Sequence, residues 1–368
     1  MISPSMLRLS VVIPTFNEAG NVRELLRRVE NSLGPEGWEL IFVDDDSPDG
    51  TASLVRDIAR ADSRVRVLQR IGRRGLSSAC IEGMLSASAP VIAIMDADLQ
   101  HDETRLPVML QALESGSADL VLATRYAGGG STDGWDATRA GMSRIATRVS
   151  GLVLKSPVSD PMSGFFMLRR EVVDANVRGL SALGFKILLD ILATSKNPLK
   201  IVEVPYTFRD RFAGESKLDS MALWDFGMLL ADKTIGRFVP VRFVAFTIVG
   251  GLGVFVHMLA LAVALKGFGL DFLISQATAT FTAMIFNFAV NNSLTYRDQR
   301  LRGWRWWAGL ASFIVACSIG AIANVGVANY LFLSRTQWAV AALAGVAVGA
   351  VWNYAVTKMY TWGGRTKQ

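Results

Sequence analysis

From Val241 to the last residue this 368-residue chain carries two acidic side chains, Asp271 and Asp298, against about ten Lys and Arg, whereas the first 240 residues mix both signs. A stretch so apolar and so poor in carboxylates cannot build a conventional soluble domain, so a boundary is expected near Pro240 with lipid as the solvent beyond it. Four apolar runs lie beyond that boundary, at 243–265, 272–294, 308–332 and 338–360, and each approaches the ~20 residues that a spanning helix needs. The connector between the second and third holds Arg297, Arg300, Arg302 and Arg305, and the tail holds Arg365 and Lys367, while the other two connectors offer only Lys266 and Arg335. The positive-inside bias then predicts an integral membrane protein with its N-terminal domain and both termini in the cytoplasm. Trp304, Trp306, Trp307, Trp338 and Trp362 fall at the expected helix ends, where interfacial aromatics sit. F-N-F-A-V at 286–290 and W-N-Y-A-V at 352–356 close the second and fourth runs, which suggests a duplicated hairpin.

The same asymmetry accounts for the sequence pI of about 9.5. The positive excess lies in the apolar part, so nucleic acid is not an expected partner. Cys80 and Cys317 stand far apart with no Cys/His cluster that could bind zinc, and no basic start with a long apolar core opens the chain; a reduced, cytoplasmic catalytic part is expected.

Residues 9 to about 126 alternate short β-rich runs, at 10–13, 39–43, 65–68, 91–95 and 120–123, with amphipathic helices. That pattern predicts an α/β domain built on a mainly parallel sheet. Asn21 followed by Glu24 reads as a capping box for the first helix. Neither G-x-G-x-x-G after the first strand nor a P-loop string is present, so dinucleotide and P-loop readings lose their support.

The residues just past the strand ends are acidic or polar: Asn17 and Glu18 after the first, Asp44, Asp45 and Asp46 after the second, Asp96 and Asp98 after the fourth, Arg125 after the fifth. Ligands of open α/β sheets bind at those carboxyl ends. One surface carboxylate means little, but three strand ends delivering acids to one rim point to a site. D-A-D-L-Q-H at 96–101 sets two carboxylates two residues apart beyond a buried strand, suited to a hard cation such as Mg or Mn carrying a nucleotide diphosphate.

P-T-F-N-E at 14–18, V-D-D-D-S-P-D-G-T at 43–51, D-A-D-L-Q-H, T-R-Y at 124–126, D-P-M-S-G-F-F at 160–166, G-F-K-I-L at 184–188 and R-F-A-G-E-S-K at 211–217 together resemble the dolichol-phosphate mannose synthases, inverting glycosyltransferases of the GT-A fold. The C-terminal third resembles the four-helix domain, related to small lipid-flipping proteins, that some members carry. The resemblance implies a catalytic domain at 1–218, an amphipathic interfacial helix or linker at 219–240 and a transmembrane domain at 241–368. It further implies that Pro14, Phe16, Glu18, Val43 and Asp45 cradle the nucleoside of GDP-mannose and that Asp96, Ala97, Asp98 and Gln100 surround the metal and diphosphate. Asp96, Asp98 and Gln100 would be the metal residues. Arg125, Lys186, Arg211 and Lys217 would contact phosphates or sugar and, with Asp98, form the catalytic set. Arg139 and Ser143 would hold the phosphate of a dolichyl or polyprenyl phosphate. Two departures are Arg74, where many relatives carry Lys, and Asp102-Glu103, where relatives often have prolines and where only the helix start is expected to change.

A phosphate monoester acceptor is already largely ionised at neutral pH, so no strong base and no His-based relay are required. Arg144 and Arg148 lie in, and Arg139 and Lys155 beside, an apolar segment, 142–154, that could form an interfacial helix at the anionic inner leaflet, and 221–238 could form a second. The competing readings are a UDP-sugar transferase of the glucose type acting on a polyprenyl phosphate, and a lipid-binding or lipid-flipping protein with a vestigial transferase domain.

Overall fold

Continuous apolar runs such as S-V-V-I-P and L-I-F-V can be buried on both faces only in the middle of a layered domain. In the computed structural model they are strands of one sheet. The structure describes residues 7–126, 154, 156, 158–181, 186–207, 209, 220–236, 239–334 and 337–363. The chain divides into two compact units, Met1–Thr234 and Ile235–Gln368.

In the first unit the elements run β1 (Leu9–Thr15), α1 (Ala19–Leu33), β2 (Trp38–Asp44), α2 (Thr51–Ala61), β3 (Val65–Gln69), α3 (Leu76–Ser86), β4 (Val91–Ile94), α4 (Leu106–Glu114), β5 (Leu120–Thr124), β6 (Phe166–Arg169), α5 (Arg170–Asn176), α6 (Ile187–Thr194), β7 (Ile201–Pro205) and α7 (Ser220–Ile235). The described strands form one sheet in the order β3-β2-β1-β4-β6-β5-β7. Every neighbouring pair is parallel except those of β6, which runs antiparallel to β4 and to β5. The five strands read from the sequence are present; β6 is inserted between β4 and β5, and β7 adds an edge beside β5. β6 escaped because four residues buried on nearly all sides show no period of two.

Successive residues serve opposite faces. Val11, Ile13, Leu40 and Phe42 pack with Leu25 and Val29 of α1 and Met109 and Leu113 of α4. Val12, Ile41, Val43 and Ile94 pack with Ala79 and Met84 of α3 and Leu188 and Ile191 of α6. With both faces covered, the carboxyl ends of the strands are the part of the sheet where polar groups can gather.

Two local expectations change. The capping box is not formed: α1 begins after Glu18, and Asn21 lies inside the first turn, where its Nδ2 donates to Glu18 Oε2 at 2.7 Å. Glu24 instead accepts from Arg27 and Arg28 one turn further on, which holds its carboxyl down at about 2. The helix starts one turn earlier because the bend after β1 is fixed by side chains of the neighbouring strand's loop. In α7 one face is committed to protein. Leu229 is buried against Leu189 of α6, and Lys233 Nζ meets Asp190 Oδ1 at 2.5 Å, Thr194 Oγ1 at 2.8 Å and the Gly179 carbonyl at 3.1 Å. Asp190 is fully buried, so losing Lys233 would strand a charge at a cost of about 3–5 kcal/mol.

The second unit contains α8 (Val241–Ala262), α9 (Phe272–Val290), α10 (Trp304–Leu333) and α11 (Trp338–Val356). Among the described residues three helical stretches, Val241–Gly267, Phe272–Thr295 and Trp304–Leu331, are long and apolar enough to cross a membrane. The two hairpins are built alike. In α8–α9 the Asn287 amide fills the space where a Cβ on Gly253 would stand, and in α10–α11 Asn353 does the same at Gly320. Both second helices end in a π turn, Asn291–Thr295 and Thr357–Thr361. The residues nine beyond each asparagine, Tyr296 and Trp362, stack on one another with centroids 4.0 Å apart and planes 6° off parallel.

Candidate active site at the carboxyl rim of the sheet

β1 and β2 lie in parallel register with Pro14 opposite Val43, so the turns after them leave the sheet side by side and are stitched together. The Asn17 N–H donates to Ser47 Oγ at 2.9 Å, Glu18 N–H to Thr51 Oγ1 at 3.1 Å and Ala19 N–H to Asp49 Oδ2 at 3.0 Å. Asp44 accepts from Thr15 Oγ1 at 3.2 Å and from Ser47 Oγ at 2.5 Å. Asn17 and Asp46 take the left-handed backbone that Asn and Asp tolerate best. Asp44 and Asp49 therefore fix loops.

Asp45 faces a different group, a fully buried arginine that nothing in the sequence singles out. Arg70 Nη1 donates to Asp45 Oδ1 at 2.5 Å, and the Gly75 N–H donates to Oδ2 at 2.6 Å. Arg70 also reaches Ser78 Oγ at 2.6 Å and Glu82 Oε1 at 3.2 Å. Burial raises the pKa of Asp45, with the Gly75 amide and Arg70 pulling the other way. Arg74 lays its guanidinium over the Phe16 ring, 4.4 Å from the centroid, a contact suited to the planar fork that distinguishes Arg from Lys. The five residues expected at the nucleoside thus sit on two adjacent strand ends, with Arg70 and Arg74 behind and beside them.

After β4 the chain turns through Asp96, buried Ala97, Asp98 and Leu99. Leu99 is buried with φ +62°, a left-handed conformation that costs a non-glycine residue about 1–2 kcal/mol. Such strain persists only where neighbours over-determine the loop. The side chain of Asp96 is 37% exposed, and its Oδ2 lies 3.2 Å from His101 Nε2. His101 is buried, with Nδ1 3.0 Å from the Tyr206 hydroxyl. Burial drives the Tyr206 phenol far above its usual range, so it stays protonated. A Cβ at Gly164 would lie 2.5 Å from Asp96 Oδ2, so glycine is what leaves room for that carboxylate. Asp98 Oδ1 accepts from the Gln100 N–H at 3.2 Å.

Arg125, after β5, pairs with Asp160 at 2.7 and 3.0 Å, with the side chains 11% and 1% exposed. Lys186 precedes α6 and has its pKa lowered by burial; Asp160 and Asp96 act to raise it and Arg125 to lower it. Asp96, Arg125 and Lys186, read separately from the sequence, thus share one electrostatic neighbourhood, with Asp160 as the buried counter-charge. Arg139, Ser143, Arg211 and Lys217 lie outside the described residues.

Asp102 and Glu103 do more than start a helix. Asp102 caps the turn 103–105 through Thr104 N–H at 3.2 Å, and both carboxylates bind the Arg209 guanidinium, at 2.9 and 2.8 Å. A cavity of about 470 Å³ lies on this side, lined by Arg27, Arg28, Ser32, Glu103 and Arg209. None of Asp96, Asp98, Arg125 or Lys186 lines it, so it is not where the rim chemistry sits.

Among the described residues no three His, Cys, Asp or Glu side chains converge as a complete metal cage. Asp96 and Asp98, partly exposed on one loop, supply two carboxylates. That donor set fits Mg or Mn completed by diphosphate oxygens, the usual arrangement for a cation that dehydrates reluctantly.

Residues 10–176 match the family model Glycosyl transferase family 2, and residues 245–362 match GtrA/DPMS, transmembrane domain. The chain is a glycosyltransferase whose GT-A catalytic domain is fused to a helical membrane domain, and it is a membrane protein. A dolichol-phosphate mannosyltransferase of Pyrococcus furiosus is 35% identical over 360 residues, covering 97% of this chain and 99% of that one. The enzyme of that name from Saccharomyces cerevisiae is 35% identical over 241 residues, 63% of this chain and 89% of its own. The chain belongs to the dolichol-phosphate mannosyltransferase family. Among solved structures, glucosyl-3-phosphoglycerate synthase from Mycobacterium tuberculosis with UDP superposes at a TM-score of 0.45 and 20% identity, over 61% of this chain and 79% of that one.

Proposed function

We propose that this chain transfers mannose from GDP-mannose to a dolichyl or related polyprenyl phosphate, inverting the anomeric centre to give a β-linked lipid phosphosugar and GDP. The observation that carries the reading is the gathering of Asp96, Arg125 and Lys186 around buried Asp160 at the carboxyl rim, with Asp98 on the same loop as Asp96. Asp96 and Asp98, with Gln100 beside them, would hold a divalent cation, Mg or Mn, which when bound would supply Lewis-acid stabilisation of the departing diphosphate.

The remaining tasks fall to the chain's own residues. Pro14, Phe16, Glu18, Val43 and Asp45 hold the nucleoside, and Ala97 lets the loop approach the diphosphate. Arg125 and Lys186, with Arg211 and Lys217, orient donor phosphates and sugar, since charge-assisted donors bind such oxygens most strongly. Arg139 and Ser143 hold the acceptor phosphate in line with the anomeric carbon. That phosphate is its own nucleophile, so no base need remove a proton. His101, held between Asp96 and Tyr206, serves to orient Asp96. The segment 219–240 lies in the membrane interface, and the positive charge of the connectors favours a cytoplasmic catalytic unit with both termini on the same side.

The test is to give the purified full chain, with Mn and short polyprenyl phosphates, GDP-mannose and UDP-glucose in parallel, and to identify the lipid product. Mannosyl phospholipid from GDP-mannose alone is expected. Turnover of UDP-glucose in preference would replace this reading with the glucose-type transferase.

A further inference from the structure

Leu99 poses a structural problem: a buried, left-handed leucine beside two prospective metal residues, Asp98 and Gln100, needs something outside the loop to hold it. Leu99 and Ala97 pack into the core with Tyr206, and the neighbouring Gln100 shows a second, polar hold. The Arg209 N–H donates to the Gln100 carbonyl at 3.0 Å, and Gln100 Nε2 donates back to the Arg209 carbonyl at 3.1 Å. The segment after β7 is thereby zipped to the loop after β4.

The Arg209 side chain then fastens this pairing at a second point. Its two terminal nitrogens reach Glu103 and Asp102, whose side chains are only 10% and 11% exposed. Neither acid is loose. Asp102 also accepts from Thr104 Oγ1 at 2.7 Å and Arg105 Nε at 3.1 Å, and the Glu103 carbonyl accepts from Ser32 Oγ of α1 at 2.8 Å. The D-A-D-L-Q loop is thus held at its far end to α1 through Glu103 and to the chain after β7 through Arg209. Hydrogen bonds within the loop alone, such as Gln100 N–H to Asp98, would not fix it to the sheet.

We propose that Arg209, acting with Glu103 and Asp102, is a positioning residue that sets the separation and aim of Asp96 and Asp98, and so the affinity for the cation–diphosphate pair. It touches neither substrate nor metal. The proposal rests on the reading that Asp96 and Asp98 hold the cation. Its consequence is specific: weakening the clamp costs metal–nucleotide affinity while the fold, whose core covers both faces of the sheet, remains. Because the guanidinium fork reaches two carboxylates at once, Lys can satisfy only part of the contact, so the effect is graded.

The experiment titrates Mn²⁺, alone and with GDP, into the full-length protein in detergent by calorimetry and by the Mn²⁺ spin-resonance signal, for the parent, Arg209→Lys, Arg209→Met and Glu103→Gln. Thermal unfolding is recorded for each. Expected is a stepwise loss of Mn²⁺·GDP affinity, severalfold for Arg209→Lys and Glu103→Gln and tenfold or more for Arg209→Met, with kcat for transfer falling further than the KM for lipid phosphate rises. Folded variants with parental Mn²⁺·GDP affinity would overturn the clamp. So would a Glu103→Gln protein of parental affinity beside an Arg209→Met protein that fails to fold, since Arg209 would then be structural only. A parent chain that binds no Mn²⁺ in the presence of GDP would instead overturn the metal reading itself, and the two failures are told apart by which protein fails.

Discussion

The two units of this chain handle buried polarity in opposite ways. At the rim of the sheet, charged groups are concentrated and held by charged neighbours: Arg70 with Asp45 and Glu82, Arg125 with Asp160, Arg209 with Asp102 and Glu103. Among the described residues of the membrane unit the buried polar side chains are neutral amides and hydroxyls, such as Asn291, Asn292, Thr295 and Thr357. Thr295 Oγ1 donates to Asn291 Oδ1 at 2.8 Å, Thr357 Oγ1 to the Asn353 carbonyl at 2.6 Å, and Asn292 exchanges bonds with the Leu301 backbone at 3.1 and 2.8 Å. Water-facing strand ends can hold a charge against a ligand; lipid-facing helices tolerate only hydrogen bonds that close on themselves. The proposed reading follows this difference, with chemistry in the first unit and packing in the second.

The largest effect that would break this division comes from Asp98→Asn. On the proposed reading, removing this rim carboxylate takes away a cation ligand and no core packing, so transfer should fall by orders of magnitude with unfolding unchanged. A near-parental rate in a steady-state assay would count against the site. Next is Gly164→Ala, which places a methyl against Asp96. An ångström-scale displacement of a reacting geometry costs about 10²-fold, and kcat should drop by roughly that while the melting temperature barely moves.

Lys186→Met sharpens the comparison through pH. Burial lowers the lysine pKa, so between that lowered value and the ordinary one the unfolded chain binds more protons, and folding stability gains as pH rises through the window. Below it the half-buried cation costs the folded state its full penalty. The methionine variant should therefore lose activity, yet melt no lower than the parent at neutral pH. The parent's rate should decline on the alkaline side before an ordinary lysine would titrate. A variant that melts well below the parent would mean that the ammonium is structural.

Much of the division was legible in the sequence, and the reasons differ by region. Strands β1 to β5 announced themselves because runs such as L-I-F-V are apolar on both faces, and D-x-D because it comes directly after one of them. β6 and β7 were not read, since four or five residues joined at a distance show no period. The acids at the rim were visible as a group, but which of them hold loops and which face the site depends on partners far away in the chain. Asp44 is taken up by Thr15 and Ser47. Asp160 is the buried mate of Arg125, and His101 bridges Asp96 and Tyr206. Arg70 looks like any arginine after a strand, and nothing local marks it as fully buried. In the membrane unit the repeated asparagine was plain, whereas its glycine partners, Gly253 and Gly320, were not: they lie on the preceding helices, amid other small residues.

The smallest effect on catalysis belongs to that pair. Gly253→Ala or Gly320→Ala drives a methyl into an asparagine amide, and overpacking of this kind costs about 1–3 kcal/mol. Detergent stability should fall while the rate per folded enzyme with a short-chain acceptor stays within a factor of about two. A large loss of kcat in folded protein would give the membrane unit a part in the chemistry.

The division itself is tested most directly by the chain ended after Val239, assayed beside the full protein with GDP-mannose and a short polyprenyl phosphate. The account predicts that GDP affinity and kcat persist within a few-fold while the KM for the acceptor rises, because the tether that raised its effective concentration is gone. A folded truncated protein that binds GDP normally yet transfers no mannose at saturating acceptor would contradict it.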